Sequence, residues 1–547
     1  MISFRTTLSK LNKRLPLKVA ATLLAGSTLL ASLLGFLRDR IFNSTYYLTY
    51  PTGADAYTVA FAVPDFMFII LVSGALSVSF IPVFNQRLNS GNKRSAWELS
   101  TSIINLLAIA TLVASILMII FADVLVRYVV GPGLDESSRA LAASMMRVMA
   151  VSPFLFAVAT VITSMQQAVG RFAFFALAPA TYNIGIIIGL LFFTRGINLF
   201  GWELFEGGIM GVALGVVLGA ILQLIISTIG LLGMGFDYRF KIFWKNKGFR
   251  KVLRLLPPRS LDQGIDYVNS IVEINLASRM ISSSVRAYQQ ATTLSYMPIN
   301  LIGVAISTAA FPKMTERLAE GRPDLFKSEL QTVLRVIIWL ALPIAVLFFF
   351  ARGYVVNFIV NGGDPYMASI LAVLAISIVF RSIYFIAARS FYAQQDTKTP
   401  LYISFFTIGL NILLAVWFTL GLDMGVQGLA WAAVITSALE VGILFFLMSR
   451  RIEGMFDRVF LSGIFRMVSA AGFTGLITYI MVTWLPLQAE DESFYVTFPK
   501  FALIAGVSLI SYVLISYLFK LTEAQPVIRR VQKILFNGVP VRVKNKE

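Results

Sequence analysis

The sequence predicts an all-helical polytopic membrane protein with about 14 transmembrane helices: two six-helix lobes in parallel repeat around a central cavity, plus a C-terminal helix pair. Hydrophobic residues make up 57% of the 547 residues and charged residues 14%, against roughly 25% charged residues in soluble domains. The apolar runs are about 20 residues long, the length of a membrane-spanning helix. Short loops rich in Lys and Arg separate them, as expected between transmembrane helices.

The residue inventory excludes several kinds of chemistry. The chain has no Cys and no His, so disulfides, thiol nucleophiles and imidazole catalysis are impossible, and proton coupling would have to run through carboxylates. No phosphate-binding Gly-rich loop occurs, so we expect no nucleotide binding and no enzyme activity. The net charge of +18 resides in loops that set topology, so nucleic acid is not an expected partner.

The predicted spans follow from the apolar runs in chain order. The N-lobe, residues 1–235, holds the runs at 17–36, 56–80, 103–125, 142–165, 172–193 and 207–232. A basic loop at 236–254 precedes the C-lobe, residues 255–450, with runs at 256–281, 292–311, 333–351, 367–388, 401–420 and 426–448. The last pair, within 451–520, is 465–485 and 501–519, and a basic tail occupies 521–547.

The distribution of Lys and Arg predicts the orientation of the chain. Basic residues concentrate in the loops after the second, fourth, sixth, eighth, tenth and twelfth spans, whereas the last odd-numbered loop carries Glu490, Asp491 and Glu492. Cytoplasmic loops carry the excess of positive charge, so both termini are predicted to be cytoplasmic. The basic tail is also suited to contact anionic membrane lipids.

An internal repeat relates the two lobes. The stretch PVFNQRLNSG at 82–91 corresponds to PKMTERLAEG at 312–321, with Arg, Leu and Gly at the same distances from Pro. Two further matches occur in order: Gln166 and Asn183 with Gln394 and Asn411, and Gly208, Gly211 and Gln223 with Gly425, Gly428 and Glu440. Because each unit has six spans, the repeats are predicted to be parallel, as in transporters built from two halves.

The seventh span is unusually polar for a transmembrane helix. Within a few turns it carries four charged residues and two amides: Arg259, Asp262, Asp266, Asn269, Glu273 and Asn275. Each charge costs roughly 2.5 to 3.5 kcal/mol at the bilayer centre on insertion scales. This helix is therefore predicted to line the cavity between the lobes.

Five further stretches are distinctive: LGFLRD at 34–39, GADAY at 53–57, GRF at 170–172, LALP at 340–343 and, most specific, RSFYAQQDTKTP at 389–400. With these stretches the chain resembles the MurJ (MviN) family of lipid II flippases, within the superfamily that also holds MATE-type multidrug exporters and polysaccharide flippases. The resemblance covers the whole chain, including the last helix pair. Family members carry further cavity arginines where this chain has Ser32, Phe68 and Thr293.

The resemblance implies a transporter of the bacterial cytoplasmic (inner) membrane that acts in peptidoglycan and cell wall biogenesis. It would translocate lipid II, a polyprenyl-pyrophosphate-linked glycan, by alternating access. Two alternatives remain open: a flippase for another polyprenyl-linked glycan, favoured by the missing arginines, and a cation-coupled MATE-like exporter of small molecules.

The resemblance also indicates candidate substrate-binding residues: Arg38, Asp39, Asp55 and Arg259. Arginine suits a pyrophosphate because its planar fork matches phosphate oxygens, and Asp39 could orient that fork. The alternatives are that Arg38 snorkels at a helix end and that Asp55 is an N-cap of its own helix. Arg147, two residues off the family spacing, is predicted to make a structural ion pair.

Candidate ion-coupling residues are Glu273, Asn411 and Glu440. Glu273 and Asn411 stand where the family has a sodium site, and a carboxylate with an amide oxygen is reasonable hard-cation chemistry. Protonation of Glu273 or Glu440, or a response to membrane potential, is an equal alternative. No further cofactor is expected. A third possibility for Glu273 is a structural pair with Arg259 or Arg381.

Overall fold

A computed structural model describes residues 16–73, 80–199, 202–488, 490–491 and 493–535. The side chains of a few residues inside helices and strands lie outside this description: 17, 18, 21, 73, 197–199, 202–204, 257–263 and 531–535. The chain forms two compact units, one ending at Arg286 and one beginning at Ala287.

The first unit contains nine α-helices and one short hairpin in its described part. The elements are α1 (Leu17–Phe42), α2 (Pro51–Phe68), α3 (Ile81–Asn89), α4 (Lys93–Val124), α5 (Glu136–Met149), α6 (Ser152–Ala168), α7 (Ala173–Leu191), β1 (Ile197–Leu199), β2 (Trp202–Phe205), α8 (Met210–Ile229) and α9 (Lys247–Ser278). Strands β1 and β2 pair antiparallel, the one exception to the predicted all-helical fold among the described residues. A core cluster of Leu99, Ile103, Val161 and Phe249 joins α4, α6 and α9.

The second unit is helical throughout its described part. Its helices are α10 (Ser284–Ile299), which begins in the first unit, α11 (Ala305–Ala319), α12 (Pro323–Phe350), α13 (Arg352–Asn357), α14 (Pro365–Ala393), α15 (Lys398–Val416), α16 (Val426–Arg451), α17 (Arg458–Trp484), α18 (Phe494–Leu518) and α19 (Gln525–Leu535). Its largest core cluster packs Ile337 of α12 and Ile386 of α14 with Met467 of α17 and Tyr512 of α18.

Twelve helices, or pairs of consecutive helices, in the described part are long and apolar enough to span a membrane, which confirms the multi-pass fold. The predicted spans 17–36 and 256–281 correspond to α1 and α9, whose side chains are partly outside the description, so the count of 14 stays a prediction. The predicted span 142–165 is broken at Ala150 and Val151, between α5 and α6. Pro153 explains the break: it lies in the first turn of α6 and has no backbone N–H to donate to the Met149 carbonyl at the end of α5.

Both units repeat the same turn after the second helix of the predicted repeat. In the first unit, the N–H of Gly91 donates to Leu88 O at 3.1 Å and the next N–H donates to Arg87 O at 3.1 Å. In the second, Gly321 donates to Leu318 O at 3.0 Å and the next N–H donates to Arg317 O at 2.9 Å. Both glycines have positive φ, 76° and 68°, the left-handed conformation that ends a helix in this way.

The start of the sixth helix is repeated as well. Gly208 and Gly425 have positive φ, and each accepts, through its carbonyl oxygen, a 3.0 Å hydrogen bond from the glycine three residues later. A Cβ on that second glycine, Gly211 or Gly428, would lie within 3.0 Å of backbone atoms of the segment before the helix. The repeat seen in the sequence therefore marks positions where the backbone requires glycine.

The glycine-rich stretch around α8 serves helix packing. A Cβ on Gly189 of α7 would come 2.4 Å from the Cα of Gly215 of α8, and one on Gly185 would come 2.2 Å from the Cα of Gly219. Such small residues let two apolar helices approach at backbone distance, where van der Waals contact is maximal.

The last helix pair is fastened to the rest of the second unit at both ends. Near the tail, Arg335 Nε of α12 lies 2.5 Å from Glu523 Oε1. At the other end, Lys500 Nζ of α18 lies 2.6 Å from Asp491 Oδ2, and Asn357 donates to the Asp491 carbonyl at 3.0 Å. The Lys500 ammonium lowers the pKa of Asp491, so the pair stays ionised well into the acid range.

We expect Gly189→Val to destabilise the protein by about 1–3 kcal/mol because the α7–α8 contact has no room for a side chain. Gly26→Val is the matched control, since Gly26 is also helical and no atom lies within 4 Å of its Cβ position. Thermal unfolding of the purified protein in detergent measures both. Equal melting temperatures for the two variants would contradict the packing argument.

Candidate functional site

Arg38 lies near the end of α1 and holds its guanidinium between a carboxylate and an amide. Its Nη2 is 3.1 Å from Asp39 Oδ1 and 3.2 Å from Oδ2, and its Nη1 donates to Asn183 Oδ1 of α7 at 3.1 Å. The side chain keeps 25% of its surface exposed. Asp39 therefore contacts the Arg38 fork through both carboxylate oxygens, and a quarter of the Arg38 side chain remains accessible.

Arg286, at the start of α10, contacts the same carboxylate. Its Nη2 is 3.3 Å from Asp39 Oδ1, and its Nε donates to Asn43 Oδ1 at 3.0 Å. The guanidinium carbon lies 4.5 Å from the ring centroid of Phe42, which in turn stacks on Tyr57. The Arg286 side chain is only 6% exposed, so Asp39 joins one accessible arginine to one buried arginine.

Asp55 is a helix cap, but of α10 and not of its own helix. The helix containing Asp55 begins at Pro51, so the alternative of an N-cap before Ala56 is wrong. Asp55 Oδ1 accepts the backbone N–H of Arg286 at 2.8 Å, and the residue is 2% exposed. A carboxylate at this place satisfies a free N–H of the first turn and complements the helix dipole.

Asn183 explains part of the LGFLRD motif. Its Nδ2 donates to the Ala31 carbonyl at 3.1 Å while its Oδ1 accepts from Arg38. A Cβ on Gly35 would lie 3.7 Å from Asn183 Oδ1, so a larger side chain at that position would crowd the amide that positions Arg38. Gly35 and Arg38 of the motif therefore both lie against Asn183, at the contact between α1 and α7.

Sequence analysis did not single out Arg286 as a site residue. A signal was present, since an arginine between Val285 and Ala287 at the start of an apolar span is costly unless it has a specific partner. The partners of Arg286 are far away in sequence, so only the fold reveals them.

The remaining candidates for substrate contact differ in how far the structure describes them. The side chain of Arg259 lies outside the described part of α9. Arg147 pairs with Asp123 of α4 and donates to the Ile119 carbonyl, which confirms its predicted structural role.

The ion-coupling candidates fall in different units. In the first unit, Glu273 Oε1 accepts from Asn269 Nδ2 at 3.0 Å, one helical turn earlier on α9. In the second, Asn411 is 3% exposed, and its Oδ1 accepts no hydrogen bond from any described residue. A buried amide oxygen without a donor is unusual in proteins and suits a bound cation.

Glu440 of α16 is the third candidate, buried at 6% exposure in the second unit. Ser404 of α15 donates to its Oε1 at 2.8 Å, and the Tyr384 hydroxyl of α14 lies 3.2 Å from Ser404 Oγ. The Tyr384 hydroxyl can therefore donate to Ser404 Oγ, which in turn donates to the Glu440 carboxylate. These hydrogen bonds link Glu440 to α15 and α14.

The motif at 389–400 has a structural explanation. Arg389 donates to the Val304 carbonyl at 3.2 Å and to the Ser307 hydroxyl, and Asp396 Oδ1 accepts the backbone N–H groups of Lys398 and Thr399 at the start of α15. The Thr399 hydroxyl and backbone N–H lower the pKa of Asp396 to about 2. These residues fasten three helices together and touch no candidate site residue among the contacts described.

Two repeated helical units with buried ionic groups among apolar helices define a multi-pass membrane transporter. The family model for the lipid II flippase MurJ matches residues 45–496, and the chain belongs to this family of transporters, which are not enzymes. A Thermotoga maritima protein described as "Probable lipid II flippase MurJ" is 25% identical over 509 residues, which cover 92% of this chain and 97% of the relative.

Two solved structures show the same fold. One, described as lipid II flippase MurJ in an inward closed conformation, has a TM-score of 0.72 and 22% identity, and the match covers 93% of this chain and 100% of that one. The other, an inward-facing multidrug resistance MATE family transporter of the MOP superfamily, has a TM-score of 0.66 and 17% identity, covering 78% and 96% of the two chains.

We expect the Arg286–Asp39 contact to stabilise the fold more than an exposed ion pair does. A double-mutant cycle with Asp39→Asn and Arg286→Gln should give a coupling free energy of about 1–3 kcal/mol from thermal unfolding. The control cycle, Asp123→Asn with Arg147→Gln, should give at most about 1 kcal/mol because both side chains of that pair are more than one third exposed. Equal coupling in the two cycles would count against the buried pair.

Proposed function

We propose that this protein translocates lipid II, the lipid-linked peptidoglycan precursor, across the bacterial cytoplasmic membrane by alternating access. The observation that carries the proposal is the asymmetry of the two arginines on Asp39. Arg38 has 25% of its side chain exposed, whereas Arg286 has 6% and is enclosed by Asn43 and Phe42. Arg38 is therefore the guanidinium that reaches the substrate.

The physical task is to move a pyrophosphate-sugar headgroup across about 30 Å of hydrocarbon while the polyprenyl tail stays in lipid. A fixed guanidinium replaces part of the lost hydration of the phosphates and presents parallel N–H donors to their oxygens. Asp39 and Asn183 hold this fork in one orientation, so less conformational freedom is lost when the headgroup binds. Arg286 acts through Asp39 as a positioning residue.

A second candidate substrate is another polyprenyl-pyrophosphate-linked glycan. The observation that favours it is the presence of Ser32, Phe68 and Thr293 where the family carries cavity arginines. Fewer cations would bind the common pyrophosphate with less selectivity for the attached glycan. Transport assays in liposomes with lipid II and with a second lipid-linked oligosaccharide, each at matched concentration, distinguish the two substrates.

We expect Arg38→Ala to abolish lipid II transport in liposomes and to fail to restore growth in a flippase-depleted bacterium. Arg38→Lys should restore only part of the activity, because an ammonium supplies charge without the bidentate fork. Arg147→Ala is the matched control, since Arg147 is also a helix arginine but pairs with Asp123. Full transport by Arg38→Ala at normal protein level would show that Arg38 only anchors the helix end.

For energy coupling, we propose that Asn411 of the second unit is a sodium ligand, supported by its buried side-chain oxygen, which lacks a donor among the described residues, and that Glu273 of the first unit is a separate candidate coupling carboxylate. Glu273→Gln should then remove the sodium dependence of transport, and Asn411→Ala should raise the sodium concentration required. Glu329→Gln, which changes a carboxylate paired with Lys313, is the control.

The same liposome assay, with sodium, proton and potential gradients clamped independently, separates the alternatives for coupling. If Glu440 carries a proton, Glu440→Gln should flatten the pH dependence of transport, and sodium should have no effect on the parent protein. Normal transport by Glu273→Gln under every gradient would overturn a coupling role for Glu273.

The proposed orientation places both termini and the 236–254 loop in the cytoplasm. Because the chain has no natural Cys, Lys245→Cys and Glu490→Cys can each be labelled singly. We expect a membrane-impermeant maleimide added to intact spheroplasts to label Glu490→Cys only, and added to inverted vesicles to label Lys245→Cys only. The reverse pattern would refute the orientation.

A further inference from the structure

The segment of residues 238–245, called here the aromatic-basic loop, is tied by its backbone to the side of α4. Asn105 Nδ2 of α4 donates to the carbonyls of Arg239 and Lys241 at 2.9 and 3.1 Å. One turn earlier, the Ser102 hydroxyl accepts the backbone N–H of Phe243 at 2.8 Å. The Tyr238 hydroxyl adds a 2.6 Å hydrogen bond to Asn105 Oδ1. The loop therefore has a defined position along the axis of α4.

The surface of α4 shows where this position lies relative to the hydrocarbon layer. Exposed apolar side chains begin at Ile109 and continue along one side of the helix: Ile109, Leu112, Val113, Ile116, Leu117, Ile120, Phe121 and Val124. Asn105 precedes Ile109 by four residues, or about 6 Å along a helix. The aromatic-basic loop thus lies at the edge of the apolar band, at the depth of lipid headgroups.

The side chains of the loop match that depth. Phe240 is 85% exposed and Trp244 is 55% exposed, although each has a large apolar ring. Around them, Arg239, Lys241 and Lys245 are exposed, and Asp237, paired with Arg239, is the one acidic residue in the stretch 236–254. Aromatic rings flanked by cations favour the membrane interface, and cations there attract anionic lipids.

We propose that the aromatic-basic loop is a binding site for anionic phospholipid, with its two exposed rings at the edge of the hydrocarbon layer and its three cations on headgroup phosphates. The site is separate from the Arg38 and Asp39 contacts and does not depend on which glycan is transported. It fixes the long loop between the sixth and seventh predicted spans to the membrane surface.

Depth is tested with a single fluorescent label at Phe240→Cys in the otherwise Cys-free protein, reconstituted in nanodiscs. We expect quenching by phospholipids brominated near the headgroup end of the acyl chain and little quenching by aqueous iodide. A label at Glu453→Cys, in an exposed loop of the second unit, is the control that iodide should quench. Strong iodide quenching at Phe240→Cys would overturn the proposal and indicate that the loop faces a soluble partner.

Charge is tested with the triple variant Arg239→Gln, Lys241→Gln and Lys245→Gln in nanodiscs of phosphatidylcholine with increasing phosphatidylglycerol. We expect phosphatidylglycerol to raise the melting temperature of the parent. The triple variant should need at least about five-fold more phosphatidylglycerol for the same rise, because the attraction of a single interfacial cation for anionic lipid already gives a factor of about five in affinity. The control triple variant Lys327→Gln, Lys398→Gln and Arg450→Gln removes equal charge elsewhere and should behave as the parent. An identical phosphatidylglycerol response in all three proteins would overturn the proposal.

Discussion

The structure of the first unit depends on the free-energy cost of placing charge among apolar helices. The Asp39 carboxylate offsets this cost for two arginines. A single carboxylate contacts the guanidinium of Arg38 at 3.1 Å and that of Arg286 at 3.3 Å. Removing one partner from such a buried group leaves a charge that the surroundings cannot solvate. The same contacts that keep α1 and the start of α10 together therefore also orient Arg38, the arginine proposed to bind substrate.

Backbone requirements account for much of the rest of the fold. The turns at Gly91 and Gly321 have the same hydrogen bonds, and Gly208 and Gly425 begin the sixth helix of each unit with the same conformation. The repeat is consequently strongest where a left-handed residue or a close backbone contact leaves glycine as the residue without strain.

Much of the architecture could be predicted from the sequence, and the candidate site only in part. Apolar runs located twelve of the spans, and the pairing of Arg147 was foreseen. The break before Pro153 and the β1–β2 hairpin were missed, because a continuous apolar run carries little information about breaks. Of the two alternatives for Asp55, the cap of its own helix was wrong, because Asp55 caps α10, a helix that begins more than 200 residues later in the chain. Substrate contact by Asp55 stays a prediction.

The sequence by itself determined the class of protein and the repeat, because hydropathy and loop composition act over local stretches of chain. Only the tertiary structure decided that Arg38, Asp39, Asn183 and Arg286 form one cluster and that residues 238–245 lie along α4. These contacts join residues that are remote in sequence. Their energies depend on burial and on distances of about 3 Å, which the order of residues does not encode locally.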